Sequence, residues 1–547
     1  MARHIEVIDD APVALAPPGR FAQFVAERLP QILLCYLAYV IVLLAIGLNN
    51  VPYIDDVRRV RTGATDWWFE GSRWGSEAFA FLLSGGRSHV IDFGLMGFLI
   101  SAFLLGTASI ITVYALIGER ANLLSFGLAA LIGINPWFLN AVAFRIDGPL
   151  IAMSVLTAVV PLLWFGRNPW IFGALTALSI ITTFNFFETT IGFTLVLLST
   201  ALFLAVMRHR LPTRALLLDA GAVIVGMAIG FAAVMAQIRV QATRVGIDNY
   251  SGMPNEWRRL PGNIIWNLEG YVLALRSDSP LRWIIAFLAV FVLVIFTQIV
   301  VASIPGWQAA LAMALYMPVT FALSASFWLL LDFPRLTVYP RYISVFGMWV
   351  AVLAIISTQT HPAAGGVESA GAKARRWVTW AAVVPFAYIT LAFAFSFASA
   401  QRYQQEFFTV RTTALLANLA GIYEPGDVIM FDRIMRTSPV VANSAVTQPL
   451  LNRLLEVGGH PSYSWAARHR FGLLSGIEAH WIRASDQWCA PSITGELMPD
   501  LVTPDWAIIK LPVSLLDSLG RDDEPVVDFE HVPPTGNIIC LQALWED

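Results

Sequence analysis

Apolar runs of membrane-spanning length recur along roughly the first 400 residues of this chain, beginning with QILLCYLAYVIVLLAIGL at 31–48. Crossing ~30 Å of hydrocarbon takes about 20 such residues in a helix, because no water is present there to satisfy an unpaired backbone N–H or C=O. About eleven runs qualify, near 31–48, 92–117, 122–135, 149–166, 170–186, 188–207, 215–237, 281–303, 307–331, 342–358 and 377–400. With 57% hydrophobic and 13% charged residues and a mean hydropathy of +0.65, an ordinary soluble protein of this length is excluded. The expected fold is an all-α polytopic membrane domain over 31–400, with long external loops at 49–91 and 238–280. The net charge of −3 gives no reason to expect a nucleic-acid partner, and 33 arginines against two lysines read as composition.

Short loops carry the positive-inside bias. Arg120, Arg167, the RHRLPTR segment at 208–214, and Lys373, Arg375 and Arg376 fall on one side, with Arg3, Arg20 and Arg28 of the N-terminal segment. That side is expected to be cytoplasmic, so that the N-terminus lies inside and the C-terminus outside. Residues 1–30 mix acids, prolines and arginines ahead of any apolar core, so no cleavable signal is expected. Within them, GRFAQFVAERL can lie on the membrane surface as an interfacial helix or serve as a linker.

Past residue 400 the apolar runs shorten to strand length. GDVIMFDR at 426–433, DWAIIKLP at 505–512, VVDFEHV at 526–532 and NIICLQALW at 537–545 read as strands, and about 405–420 and 448–456 as helices. A small extracytoplasmic α/β domain is therefore expected over 401–547. An oxidising compartment permits a Cys489–Cys540 disulfide there, the alternative being two small buried residues that never meet. His460, His469 and His480 lack the close spacing of a metal site.

By this topology the unusual polar segments gather on the outer side. NNVPYIDDVRRVR at 49–61 sets Asp55 and Asp56 beside Arg58, Arg59 and Arg61 where the first span ends. NPWFLNAVAFRIDGP at 135–149, NFFET at 185–189 and DFPRLTVYPRY at 332–342 join it. Ionisable groups at a membrane edge are costly and point to function. A carboxylate there can take the proton of an attacking hydroxyl, and arginines can hold a phosphate bidentately as charge develops on it. Together they describe glycosyl transfer from a lipid-phosphate sugar. The rival class is a lipid-sugar or polysaccharide transporter or flippase, which should instead break its helices or place charges near the bilayer midplane. The interiors of these spans are almost purely apolar.

YIDDVRR after the first span, NPWFLNAVAFRID after the third and YPR before the tenth resemble the bacterial polytopic glucosyltransferases that modify O-antigen, within the GT-C superfamily. The resemblance covers most of 31–358 and implies a polyprenyl-phosphate sugar as co-substrate, glucose by default with pentoses and other hexoses using the same architecture. The acceptor it implies is a cell-envelope glycan or glycoconjugate on the outer face of the membrane. It also implies that Asp55 or Asp56 is the general base, the other orienting the acceptor or a cation, with Arg58 and Arg59 nearby for the donor phosphate.

Asp147, with Arg145 as its partner or as a phosphate ligand, would be a second carboxylate on the same groove, or a local ion pair. Arg341 and Arg335 flank TVYP and suit the lipid phosphate, although arginines snorkelling at a helix end look the same. Glu188 lines a polar cavity or caps a helix. Trp67 and Trp68, with Trp74, can stack on a sugar or belong to the interfacial aromatic belt. SEAFAFLLS at 76–84 reads as a short surface helix. Adjacent carboxylates at 55 and 56 can coordinate Mg²⁺ or Mn²⁺ through oxygen, but two do not complete a six-ligand site, and no cofactor is assigned. The oligomeric state is not readable.

Overall fold

The structure is a computed structural model and describes residues 18–65, 67, 72–207, 213–245, 258–278, 281–301, 305–325, 328–329, 331, 340–359, 370–431, 437–458, 464–477, 479–481, 499–503, 506–512 and 537–544. The chain divides into two compact units, Met1–Asn50 with Thr65–Ala398, and Val51–Ala64 with Ser399–Asp547. The division takes the aspartate-arginine segment out of the loop in which the sequence places it and groups it with the terminal domain.

The first unit is helical. Among the described residues nine stretches are long and apolar enough to cross a membrane: Leu29–Gly47, Leu95–Leu116, Asp147–Trp164, Pro169–Met207, Arg214–Gln241, Trp283–Val301, Gly306–Ala325, Pro340–Ser357 and Ala370–Leu419. Two features reduce the expected eleven. The run at 122–135 is split into Leu123–Ala129 and Leu131–Ile134, too short to span. The runs at 170–186 and 188–207 join into one 39-residue apolar stretch, interrupted where Phe187 turns extended (φ −158°, ψ 102°) ahead of a single 3₁₀ turn, Glu188–Thr190. Loop 238–280 is partly helical, since Arg214–Gln241 belongs to a helix running from Thr213 to Val245 and Leu260–Asp278 forms another. Pro18–Glu27 and Trp74–Leu83 are helices of 10 residues each, over the segments read as an interfacial helix or linker and as a short surface helix.

Small residues let the helices approach closely, as membrane packing favours. A Cβ on Gly97 would sit 1.9 Å from the carbonyl oxygen of Arg145, and one on Gly347 2.2 Å from Oδ1 of Asn135. The bundle can close over the NPW…RID segment only with glycine at these positions.

In the second unit five strands, β1 (Val428–Phe431), β2 (Ala479–Trp481), β3 (Leu501–Val502), β4 (Trp506–Pro512) and β5 (Asn537–Ala543), form one sheet in the order β2-β1-β5-β4-β3. β1 runs parallel to β2 and β5, with Ile429 opposite Ala479 and Ile539. β4 runs antiparallel to β5 and β3, with Ile508 opposite Leu541 and Leu501. The expected last span and the helix expected at 405–420 are one 50-residue helix, Ala370–Leu419. Its Phe408, Leu415 and Leu419 pack with Ile429, Ile508, Ile539 and Leu541 of the sheet. The expected strand at 526–532 lies outside the described residues. Cys540 is disulfide-bonded and Cys35 is free; position 489 lies outside the described residues.

Candidate functional site

In the terminal unit the carboxylate pair opens an eight-residue helix, Asp55–Thr62. Acids in a first turn and bases in a last turn complement the helix dipole, each by about 0.3–1 kcal/mol, and here Asp55 and Asp56 face Arg59 and Arg61 in that sense. Gly63 ends the helix in the left-handed region (φ 69°), its N–H donating to the Arg59 carbonyl at 2.7 Å. The helix begins on Ile54 at φ 40°, a region that a β-branched residue rarely adopts. Two bonds to the terminal domain hold that entry: Tyr53 Oη donates to Leu454 O at 2.6 Å and Arg470 Nη2 to Pro52 O at 3.1 Å. Burial pushes the Arg470 guanidinium down to about 10. It lies over the ring of Phe408 at 5.5 Å.

The helix sorts the motif by face. Residues three apart on a helix are neighbours. Asp55 and Arg58 are both half-buried, whereas Asp56 and Arg59 are both buried. The adjacent aspartates are thus chemically alike but unequally accessible.

In the first unit a second set of charges is fixed by partners from distant parts of the chain. Asp147 starts the helix Asp147–Val159 and accepts the indole N–H of Trp67 at 3.0 Å. Arg145 binds Asp92 at 2.9 Å and donates to Asn50 Oδ1 at 2.8 Å. Asn50 adopts φ 51°, a left-handed conformation that asparagine tolerates. Asn135 of the NPW turn accepts the Phe138 N–H at 3.1 Å and donates to Ile132 O at 2.8 Å, so this motif residue shapes the backbone. Trp137 donates to Asp278 Oδ2 at 3.1 Å.

Glu188 is buried, and Nη2 of Arg73 lies 2.8 Å from each of its carboxylate oxygens. Beside them Gln237 and Asn185 exchange amide bonds at 2.9 and 3.0 Å, Gln237 also donates to Ser72 O, and Trp74 donates to Gln237 at 3.3 Å. Arg341, on the turn Pro340–Ile343, stands 5.5 Å from the rings of Phe144 and Tyr342, within cation–π reach. Arg335 and Trp68 lie outside the described residues. Among the described residues no three His, Cys, Asp or Glu side chains group closely enough to hold a metal ion.

Residues 44–357, more than half of the chain, match the family described as Glucosyl transferase GtrII. The chain belongs to the GtrII glucosyl transferase family. The match bears out the resemblance carried by YIDDVRR, NPWFLNAVAFRID and YPR, all of which lie inside it. No match was found among curated proteins or among solved structures. The GtrII match ends at Ser357, so the five-stranded sheet lies wholly beyond it.

Several partners of these side chains escaped the sequence reading. Arg73, Asp92, Asp278 and Gln237 each pair with a group that it singled out or with a neighbour of one. The available signal for the first two was their place in the first loop and at the edge of the second span; nothing local marks Asp278 or Gln237.

Proposed function

We propose that this GtrII family membrane protein transfers a glucosyl group from a polyprenyl-phosphate donor to a hydroxyl of a cell-envelope glycan on the outer face of the inner membrane, with Asp55 as general base. The unequal burial of the aspartate pair carries the assignment. Asp55, half-buried with Arg58 on the same face, keeps access to a substrate hydroxyl, while Asp56 and Arg59 are buried. Arginine-rich short loops support the orientation.

In the reaction the acceptor hydroxyl gives its proton to Asp55 as its oxygen bonds to the anomeric carbon. The bond from that carbon to the phosphate oxygen breaks, its electron pair leaving on polyprenyl phosphate. A single displacement of this kind inverts the anomeric centre. Arg58, on the same helix face as Asp55, is the group assigned to the phosphate, whose negative charge grows as the bond breaks.

The test uses full-length protein in proteoliposomes with polyprenyl-phosphoglucose. Asp55→Asn lowers kcat about 10²–10⁴-fold and lowers the unfolding temperature in detergent less than Asp56→Asn does. Full turnover by Asp55→Asn would overturn the assignment. Movement of the lipid across the bilayer without glucosyl transfer would make the protein a transporter.

A further inference from the structure

Pro340–Ser357 carries Arg341 at one end and leads at the other into a cavity. A helix this long sets its ends about 25 Å apart at 1.5 Å per residue. The cavity, of ≈ 220 Å³, is lined by Asn122, Gln298, Gln359, Arg375, Arg376 and Trp380 among others, all of the first unit.

Its amides are the informative feature. Gln359 is 6% exposed, and neither its Oε1 nor its Nε2 has a hydrogen-bond partner among the described residues. Gln298 is 5% exposed and donates through Nε2 to Ser357 O at 3.0 Å. That bond fixes which end of the amide is left over, and Oε1 has no partner among the described residues. A buried polar atom left unmet is destabilising, so three of them lining one cavity need a ligand or ordered water. Among the described residues Arg375 makes only a long contact, 3.5 Å from Nη1 to Thr297 O. Leu123 and Trp380 line the same space and are exposed, as expected where a cavity opens toward lipid at the membrane edge.

We propose that this cavity binds a phosphate group that carries a neighbouring hydroxyl or ammonium. Arg375, Arg376 and the Gln359 amide N–H donate to the phosphate oxygens. The neighbouring hydroxyl or ammonium donates to Oε1 of Gln298 and Gln359, which anions alone cannot satisfy. The volume admits a headgroup and excludes acyl chains, which would lie along Leu123 and Trp380. Phosphatidylglycerol and phosphatidylethanolamine have this chemistry; phosphatidylcholine, whose trimethylammonium has no N–H, does not. A soluble ester such as glycerol 3-phosphate presents the same groups.

The test takes delipidated full-length protein in detergent and measures retained lipid by native mass spectrometry, with phosphatidylglycerol and phosphatidylcholine in equal competition. In parallel, glycerol 3-phosphate is titrated against thermal unfolding. A phosphatidylglycerol preference of about tenfold that is lost in Gln359→Leu and Arg375→Ala and kept in Arg375→Lys supports a lipid ligand. Stabilisation by glycerol 3-phosphate that the same two variants abolish supports a soluble one. Arg375 is half-exposed, so Arg375→Ala remains decisive if Gln359→Leu fails to fold. Retention equal between the two lipids, or equal between wild type and both variants, with no effect of glycerol 3-phosphate, would overturn the proposal and leave the cavity to water.

Discussion

Two of the described helices begin on aspartate, and they treat it in opposite ways. Asp55–Thr62 is short and polar, belongs to the terminal unit, and leaves its first carboxylate half-buried. Asp147–Val159 is apolar, belongs to the membrane unit, and meets its carboxylate with the indole of Trp67. The helix dipole favours the anion in both. What separates them is access: a group already held by a buried donor positions its surroundings, whereas one left reachable can take a proton from a substrate.

Exchanging the two acids' charges is the strongest way to break that contrast. Asp55→Asn keeps the shape and removes the base, so the loss of about 10²–10⁴ in kcat corresponds to roughly 3–5 kcal/mol of transition-state stabilisation. Asp147→Asn keeps an oxygen that still accepts from Trp67, so transfer falls by less than about tenfold. Parallel kcat measurements on the two variants decide it, and an Asp147→Asn enzyme as inactive as Asp55→Asn would reverse the roles.

Next in size is the packing that fixes the second carboxylate. Gly97→Ala drives a methyl against the Arg145 carbonyl, where only 1.9 Å is available, and that oxygen is backbone and cannot rotate away. The helix Leu95–Leu116 must move, costing about 1–3 kcal/mol. A lowered unfolding temperature in detergent is expected, together with weaker transfer through displaced Arg145 and Asp147. Gly127→Ala, where nothing lies within 4 Å, should change neither. A wild-type melt for Gly97→Ala would show that the membrane unit does not hold this carboxylate rigidly.

The residues that made these sites legible in sequence were those whose cost is local. Asp55, Asp56, Asp147 and Glu188 stand out because a charge beside an apolar run needs a reason, and apolar length alone marks most of the membrane helices. Partners were hidden because they come from far along the chain. Glu188 meets Arg73 across 115 positions and Trp137 meets Asp278 across 141, and no periodicity links such pairs. The division of labour was hidden for another reason. Hydropathy assigns Val51–Ala64 to a loop between spans, but it is tertiary contact, through Tyr53 with Leu454 and Arg470 with Pro52, that ties the segment to the terminal unit. Helix periodicity carries the face assignment of Asp55 against Asp56, but which face is buried depends on that domain. The run at 122–135 and the break at Phe187 show the limit of counting spans by composition, since a kink changes the count without changing the hydropathy.

If the terminal unit carries the reactive carboxylate, loosening its sheet should weaken transfer without touching the membrane unit. Asp427 is the lever. Its carboxylate accepts from the backbone N–H of Asn537, at the start of β5, at 2.8 Å and from that of Glu424 at 2.9 Å, and it lies 3.0 Å from Lys510 Nζ of β4. Burial alone would raise its pKa, but these donors outweigh burial and hold it below the usual carboxylate range. The folded value is therefore depressed, so the group's contribution to stability is complete above the unfolded value of about 4 and is lost as pH falls through the folded one. Asp427→Asn removes the charge-assisted part of three bonds, about 1–2 kcal/mol at neutral pH. The mutant should melt lower than wild type at pH 7, and the difference should shrink as pH falls from about 4 through the lower folded value. Transfer at neutral pH should fall by a few-fold near the mutant's melting range and be unchanged well below it. If activity at that range stayed at the wild-type level while the sheet had demonstrably loosened, Asp55 would be held in place without the terminal domain, and the contrast between the two aspartate helices would reduce to exposure alone.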